Sequence, residues 1–390
     1  MHDIYISGTG VWTPQHKVSN QELVESFNEY VRLYNIENEQ LILDGSVIAL
    51  EPSSEEFIAK ASGILNRYVI EKDSLLNPNI MKPMIEPRDN DALSVSAEIS
   101  VIAAQEALKN AGLQASEIDA VIVSTANLQR AYPAIAIEVQ NALGIEGYAY
   151  DMMVGCSSTT FGISNAYSDI AAGKASKILV INPEITSAHN NYKNRDSHFI
   201  FGDVCTATVV EKNSTAPNKF KILGAKLKTQ FSNNIRNNFG FMNAIENKEY
   251  TEAELLFIQN GRSVFKEVMP MVASLITDHL SENNLLPQDV EQYWLHQANI
   301  NMNTYVIKKL LGQPRQKDPC VIESTEALRQ WNSFNTGFSS LIFLNFTWSK
   351  AFSFVLFAQA ISQLWVCKSF FPLILPLQNR SLRHLQHFLF

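Results

Sequence analysis

The sequence predicts an α/β chain made of two similar halves, and three observations carry that expectation. Apolar, β-rich runs alternate with amphipathic stretches of helical length. Two of the runs, IDAVIVSTA and KILVINPEI, are almost continuously apolar, the pattern of strands buried on both faces of a parallel sheet. The alternation then restarts near Ala216, so crossover connections of the same kind are expected in a second half.

The elements follow in order. DIYISGTGVWTP alternates as a strand, and Ser19 caps the amphipathic run NQELVESFNEYVRLYN. Helices are predicted at SSEEFIAKASGI and at LSVSAEISVIAAQEALKNAG, the latter stopped by Gly112. IDAVIVSTA is a strand, AIAIEVQNALG a helix, YAYDMMV a strand, and STTFGISNAYSDIAAG a helix ending at Gly173. KILVINPEI and FGDVCTATVVEK are buried strands. The second half reads as a strand near FKILGAKLKT, a helix at GRSVFKEVMPMVASLITDHLSEN, a strand at VEQYWLH and a helix at NMNTYVIKKLLG. LLNPNIMKPMIEPRDN, between Leu75 and Asn90, is the expected irregular excursion.

With 390 residues the chain can bury a large core, and its net charge of −8 argues against a nucleic-acid partner, which needs clustered Lys and Arg. The four cysteines, Cys156, Cys205, Cys320 and Cys367, lack CxxC spacing, and MHDIYISGTG lacks the regions of a secretory signal. A reducing cytoplasm is the expected compartment. The eight histidines are scattered without HExxH or zinc-type spacing, so no metal is expected.

DMMVGCSSTTFG places Cys156 between a predicted strand and the first turn of a predicted helix. Free N–H groups and the helix dipole favour a thiolate there, although buried cysteine is also a common packing residue. YWLHQAN places His296 at a strand-to-helix junction too, the location read as equivalent to that of Cys156 in the first half. Chemistry collects at the carboxyl ends of strands in open sheets, so the two residues are candidates to meet.

Taken together, these motifs resemble the β-ketoacyl-acyl-carrier-protein synthase III family of the thiolase superfamily. ISGTGVWTPQHKVSNQEL is similar to the family's opening strand, turn and helix, and EEFIAKASGILNR, with Gly63, Ile64 and Arg67, to its Gly-Ile-x-x-Arg element. The Cys156 segment, Phe-Gly-Asp at Phe201 to Asp203, and HQAN at His296 to Asn299 follow in the family's order. The resemblance covers about residues 1 to 323. It implies a thiolase-like, five-layered αβαβα body, with a first half over 1–215 carrying the cysteine and a second over 216–323 carrying the histidine. It also implies a homodimer.

The resemblance further implies a catalytic set of Cys156, His296 and an asparagine. Cys156 would take an acyl group from an acyl thioester, and His296 with the asparagine would stabilise the enolate from decarboxylated malonyl carrier protein. Substrates would be acyl-CoA and malonyl carrier protein, with no cofactor. Polyketide, olefin-forming and methylglutaryl-CoA synthases share the first acyl transfer and stay open as alternatives. Lys308 and Lys309 are candidates for the acidic carrier protein or a coenzyme A phosphate, and Arg67, Arg236 and Arg262 for phosphate contact. Asp203 reads as a turn support, and Cys205 as a packing residue.

The last residues depart from the family pattern. Asn335 in FNTG is the nearest match to the expected asparagine, with Asn332 the runner-up. All 39 Asp and Glu lie within residues 1–326, whereas 11 of the 22 Phe lie beyond them. Residues 324–390 therefore read as an atypical apolar tail that does not supply the family's closing strands, with an out-of-frame origin favoured. A divergent tail that still completes the sheet, and a membrane-associated run over Ala351 to Cys367, are the other readings. An inactive or acyl-transfer-only relative follows as a second functional class. Family motifs found in another frame of the coding DNA would support the out-of-frame origin, and their absence would sink it.

Overall fold

The computed structural model describes residues 3–237, 249–290, 292–296, 299–313, 354–362 and 365–370. The first half contains β1 (Ile4–Trp12), β2 (His16–Ser19), α1 (Asn20–Glu37), α2 (Glu39–Leu43), α3 (Glu55–Ser62), β3 (Asn66–Val69), α4 (Val95–Ala111), β4 (Ala120–Thr125), α5 (Ile135–Leu143), β5 (Tyr148–Met153), α6 (Ser158–Ala171), β6 (Lys177–Ile185), β7 (Asp203–Lys212) and β8 (Phe220–Ile222). The second contains β9 (Lys226–Gln230), β10 (Ile235–Arg236), α7 (Glu252–Leu255), β11 (Ile258–Gln259), α8 (Gly261–Glu282), β12 (Gln292–Leu295), α9 (Ile300–Leu311), β13 (Phe354–Ser362) and β14 (Trp365–Phe370).

Local chemistry sets the helix ends. The Ser19 side chain accepts from the Glu22 amide while Glu22 reaches back to the Ser19 amide, a capping box that contributes about 1 kcal/mol at the start of α1. Gly63 and Gly112 end α3 and α4 in the left-handed region, at φ 83° and 72°. Between β3 and α4 the chain forms turns and irregular backbone, which covers the excursion expected over Leu75 to Asn90.

The first sheet has the order β5-β4-β6-β7-β1-β8. β4 runs parallel to both neighbours, as continuous apolar runs predict, and every residue of β4 is buried. β7, however, is antiparallel to β6 and to β1, so the sheet is mixed. KILVINPEI and FGDVCTATVVEK are thus joined by a loop over residues 186–202 rather than by a helical crossover, and that loop becomes a wall of the site.

Helix α4 lies unusually close to β1. A Cβ on Gly8 would stand 2.2 Å from the Ala107 carbonyl oxygen, and one on Gly10 2.1 Å from that of Ala103. Ala103, Ala107 and Ala111, one turn apart, face the glycines and are buried. Small residues on both partners let the two backbones meet. Below this layer, α6 touches β4 and β6 on one side and β13 and β14 on the other, and so separates the two sheets.

The second sheet has the order β12-β13-β14-β9. FKILGAKLKT, expected as one strand, breaks at residues 223–225: β8 pairs with β1 in the first sheet and β9 with β14 in the second. The chain passes from the first sheet to the second between these two strands. The backbone over Phe354–Ser362 and Trp365–Phe370 forms β13 and β14, which fill the sheet between β12 and β9. Among the described residues no helix is long and apolar enough to cross a membrane.

The two halves repeat one another locally. A short 3-10 turn at Ala115–Glu117 leads into β4 after α4, and another at Pro287–Asp289 leads into β12 after α8. In that register His296 corresponds to Ser124 and Asn299 to Asn127. His296 therefore matches the end of β4 and not the Cys156 turn, which follows β5. Both are strand-to-helix junctions, but not the same junction of the repeat.

Candidate active site

Beyond β5 the chain passes through Val154 and Gly155, with φ 57° at Gly155, and Cys156 sits in a 3-10 turn that runs directly into α6. Glycine accepts this left-handed conformation without a Cβ penalty, which lets the strand turn sharply under the cysteine. Cys156 is 6 % exposed and forms no disulfide.

Cys156 and His296 line a single cavity of about 240 Å³. Its walls are mainly apolar: Phe199, Phe201, Phe257, Val264, Phe265 and Met302 among them. Asp196 is the one carboxylate in the described lining. Burial pushes the His296 imidazole down to about 4, so it is neutral at pH 7 and can donate a hydrogen bond without carrying a charge.

The Gly-Ile-x-x-Arg and HQAN elements meet at the edge of this cavity. Asn299 caps α9 by accepting from the Asn301 amide at 2.8 Å, and its side-chain amide donates to the Ala61 carbonyl at 2.7 Å. A Cβ on Gly63 would come within 2.9 Å of Ile300, so the α3 end and the α9 start need glycine to meet. Ala61, Ser62 and Asn299 all line the cavity.

Arg67 is not at the surface. It is fully buried, and its guanidinium donates to the Val18 carbonyl at 3.3 Å, Asn20 Oδ1 at 2.7 Å and the Phe199 carbonyl at 3.4 Å. Burial pushes its pKa down to about 10. The expectation that it meets a coenzyme A phosphate is corrected, because its donors hold the backbone behind the Phe199 wall. Lys308 and Lys309 are exposed in the last turn of α9, open to a soluble anionic partner. Arg236 is half-buried in β10 and Arg262 exposed at the start of α8. Asn335, Asn332 and Cys320 lie outside the described residues.

Asp203 acts as a support. Its carboxylate accepts from the Ser187 amide and hydroxyl at 2.8 and 2.7 Å and from the Ile70 amide at 2.8 Å, while burial pushes its pKa up to about 6. It ties the 186–202 loop to the end of β3. Cys205 is wholly buried, and burial pushes its thiol up, which leaves it unreactive.

Several residues at the site gave no clear sequence signal. Arg195 stacks its guanidinium 4.0 Å from the centre of the Phe57 ring and donates to the Pro52 carbonyl at 2.7 Å, next to the cavity residue Asp196. Asn127 pairs with His189 at 2.9 Å, and the His189 carbonyl accepts from the Phe257 amide at 3.0 Å. Only tertiary structure brings these together; the sequence held no spacing to find them.

Comparison with known proteins matches this geometry to a family. A family model described as 3-oxoacyl-[acyl-carrier-protein] synthase III matches residues 150–230, which contain Cys156 and Phe201 to Asp203. A β-ketodecanoyl-[acyl-carrier-protein] synthase of Pseudomonas aeruginosa is 51% identical over 305 residues, covering 77% of this chain and 87% of that protein. The chain belongs to the β-ketoacyl-[acyl-carrier-protein] synthase III family.

Its more distant relatives include a β-ketoacyl-[acyl-carrier-protein] synthase III of Granulibacter bethesdensis, 25% identical over 308 residues, with 78% of this chain and 80% of that protein covered. Among solved structures, the priming β-ketosynthase of the R1128 polyketide pathway superposes with a TM-score of 0.71 at 19% identity, covering 96% of this chain and 97% of that one. The synthase III of Aquifex aeolicus gives 0.64 at 20% identity, with 96% and 100% covered. These neighbours establish the thiolase-like α/β fold. As a β-ketoacyl synthase III family member, the chain is a condensing enzyme of fatty-acid synthesis.

Proposed function

We propose that Cys156 is the nucleophile of a decarboxylative condensation and that His296 assists its second half. The observation that carries this is the shared cavity: a thiol at a helix start and a neutral imidazole line one apolar chamber. The Cys156 sulfur attacks the carbonyl carbon of an acyl thioester, and the coenzyme A thiol leaves as the acyl-cysteine forms. Malonyl carrier protein then loses carbon dioxide. His296 donates a hydrogen bond to the thioester carbonyl as it becomes an enolate, and the enolate carbon attacks the acyl-cysteine, releasing Cys156 and 3-oxoacyl carrier protein.

The third group of the set is proposed to be Asn335, with Asn332 the alternate. The P. aeruginosa relative is named for a ten-carbon product, and condensation with malonyl carrier protein adds two carbons. An eight-carbon acyl donor is therefore the proposed primer here, consistent with a cavity walled by four phenylalanines. Lys308 and Lys309 are proposed to meet the acidic carrier protein, and Arg195, next to the cavity residue Asp196, replaces Arg67 as the candidate for a phosphate. Homodimer formation is proposed through the edge of β5, the end strand of the first sheet among the described residues. No cofactor is invoked, and the cytoplasm is the proposed location.

The test is the intact mass of the protein after incubation with acetyl- through dodecanoyl-CoA, beside Cys156→Ser. An added acyl mass, greatest with octanoyl and absent from the variant, is the expected result. No adduct on folded wild-type protein would overturn the nucleophile. Release of carbon dioxide from malonyl carrier protein separates a full synthase from an acyl-transfer-only relative.

A further inference from the structure

Three serine and threonine groups join the Cys156 turn to the end of β4. The Ser158 hydroxyl donates to the Thr125 carbonyl at 2.8 Å and accepts from the Val154 amide at 3.0 Å. Ser124 Oγ donates to the Ser158 carbonyl at 2.5 Å. Ser158 thus reaches across the turn in both directions: to the residue two before Cys156 and to the neighbouring strand. Ser124, Ser158 and Thr125 are at most 1 % exposed, so water does not compete for these bonds.

The far side of β4 is held as firmly. Thr125 Oγ1 donates to the Pro183 carbonyl at 2.6 Å, Asn182 Nδ2 to the Ser124 carbonyl at 2.5 Å, and the Ala126 amide to Glu184 Oε1 at 2.9 Å. The strand end is fixed by β6, and the cysteine turn is fixed to the strand end. Glycine at 155 makes the turn sharp but supplies no rigidity, because it is the residue with the widest conformational freedom. A turn built on glycine and carrying a nucleophile needs an external anchor, and the Ser158 hydroxyl is the side chain placed to provide it.

We infer that Ser158, with Ser124 behind it, is a positioning residue that sets the Cys156 turn for acyl transfer. It touches no substrate. Its hydroxyl holds the Val154 amide and the Thr125 carbonyl in one register, which fixes the turn that carries the sulfur against the cavity. The inference rests on the nucleophile assignment proposed above. Misplacing a reacting atom by about 1 Å can cost on the order of 100-fold in rate.

The experiment measures single-turnover acylation by mass, using octanoyl-CoA over a concentration series, for wild type, Ser158→Ala, Ser124→Ala, the double variant and Ser100→Ala. Ser100 is an equally buried serine on α4 whose hydroxyl donates to the Ser96 carbonyl at 2.6 Å, away from the turn. Ser158→Ala is expected to lower the maximal acylation rate on the order of tenfold, with the half-saturating donor concentration unchanged. The double variant should lose little more than the worse single one, as expected when two groups act through one turn. Ser100→Ala should lower the melting temperature and leave the acylation rate intact.

Wild type that acylates normally beside a Ser158→Ala variant with unchanged maximal rate would overturn the inference and leave the nucleophile assignment standing. So would equal losses from Ser100→Ala, since the effect would then be general destabilisation. Wild type that fails to acylate would instead strike the nucleophile assignment itself. If Ser158→Ala does not fold, the Ser124→Ala variant carries the same comparison from the other side of the turn.

Discussion

Cys156 and His296 line one cavity from the ends of two different sheets, the cysteine after β5 of the first and the histidine after β12 of the second. Residues of both halves of the chain line it. The contact between the α3 end and the Asn299 cap, through the Ala61 carbonyl, binds the halves at the cavity edge. The consequences for each residue can be measured separately.

His296→Ala should leave formation of the acyl-cysteine largely intact and lower carbon dioxide release from malonyl carrier protein by about 100-fold or more, the usual cost of losing one donor to a developing oxyanion. The first is read by intact mass and the second by labelled carbon dioxide. Equal loss in both steps would show that the imidazole serves acylation as well.

Reversing the charges at Lys308 and Lys309 to Glu should raise KM for the carrier protein while kcat changes little. The effect should shrink as salt rises from about 0.05 to 0.5 M, because exposed charges are screened over a Debye length. Arg67→Ala is predicted to behave differently, lowering the melting temperature at every salt concentration, since it strips three hydrogen bonds from buried backbone and Asn20.

Glu184 gives the pH dependence a definite sign. Burial pushes its carboxyl up to about 8, so the folded protein keeps a proton that the unfolded chain releases near 4.5. Its contribution is fully present below pH 4.5 and is lost as the pH rises through 8, at up to about 1.4 kcal/mol per pH unit. Urea unfolding of Glu184→Gln between pH 5 and 8 should show a flatter fall in stability than wild type. His189 and His198, pushed down to about 4 and 3 by burial, act in the opposite direction: their neutral forms favour the folded state above pH 6.5, and that favour is lost on acidification.

Gly10→Ala should destabilise the protein by about 1–3 kcal/mol, read as a lower urea midpoint with an unchanged slope. The new methyl would stand 2.1 Å from the Ala103 carbonyl, which is backbone and can move only if α4 moves. Gly112→Ala tests a different mechanism, because nothing lies within 4 Å of its Cβ position and the cost comes from φ 72° alone.

Much of this architecture was legible in the residues because short-range rules govern it. Ser19 with Glu22, Gly63, Gly112 and the unbroken apolar run of β4 each specify local structure without help from the rest of the chain. The antiparallel seating of β7 was not legible, because a buried strand reads the same in either direction. Arg67 misled for a similar reason: a guanidinium that spends its donors on backbone carbonyls looks, in sequence, like one kept for phosphate. Cys156 and His296 were legible as candidates through the motifs around them. Ser158 was visible only as one of a run of small hydroxyl residues, since the carbonyl it holds belongs to a strand more than thirty positions earlier.

The repeat that aligns Ser124 with His296 bears on how such a molecule diversifies. Two copies of one helix–turn–strand unit end in different side chains: the copy in the first sheet spends its final serine on bracing a neighbouring turn, while the other presents an imidazole to the chamber. One unit braces a turn of the scaffold and the other faces the cavity. Innovation in chemistry can therefore proceed at the second copy without loosening the first.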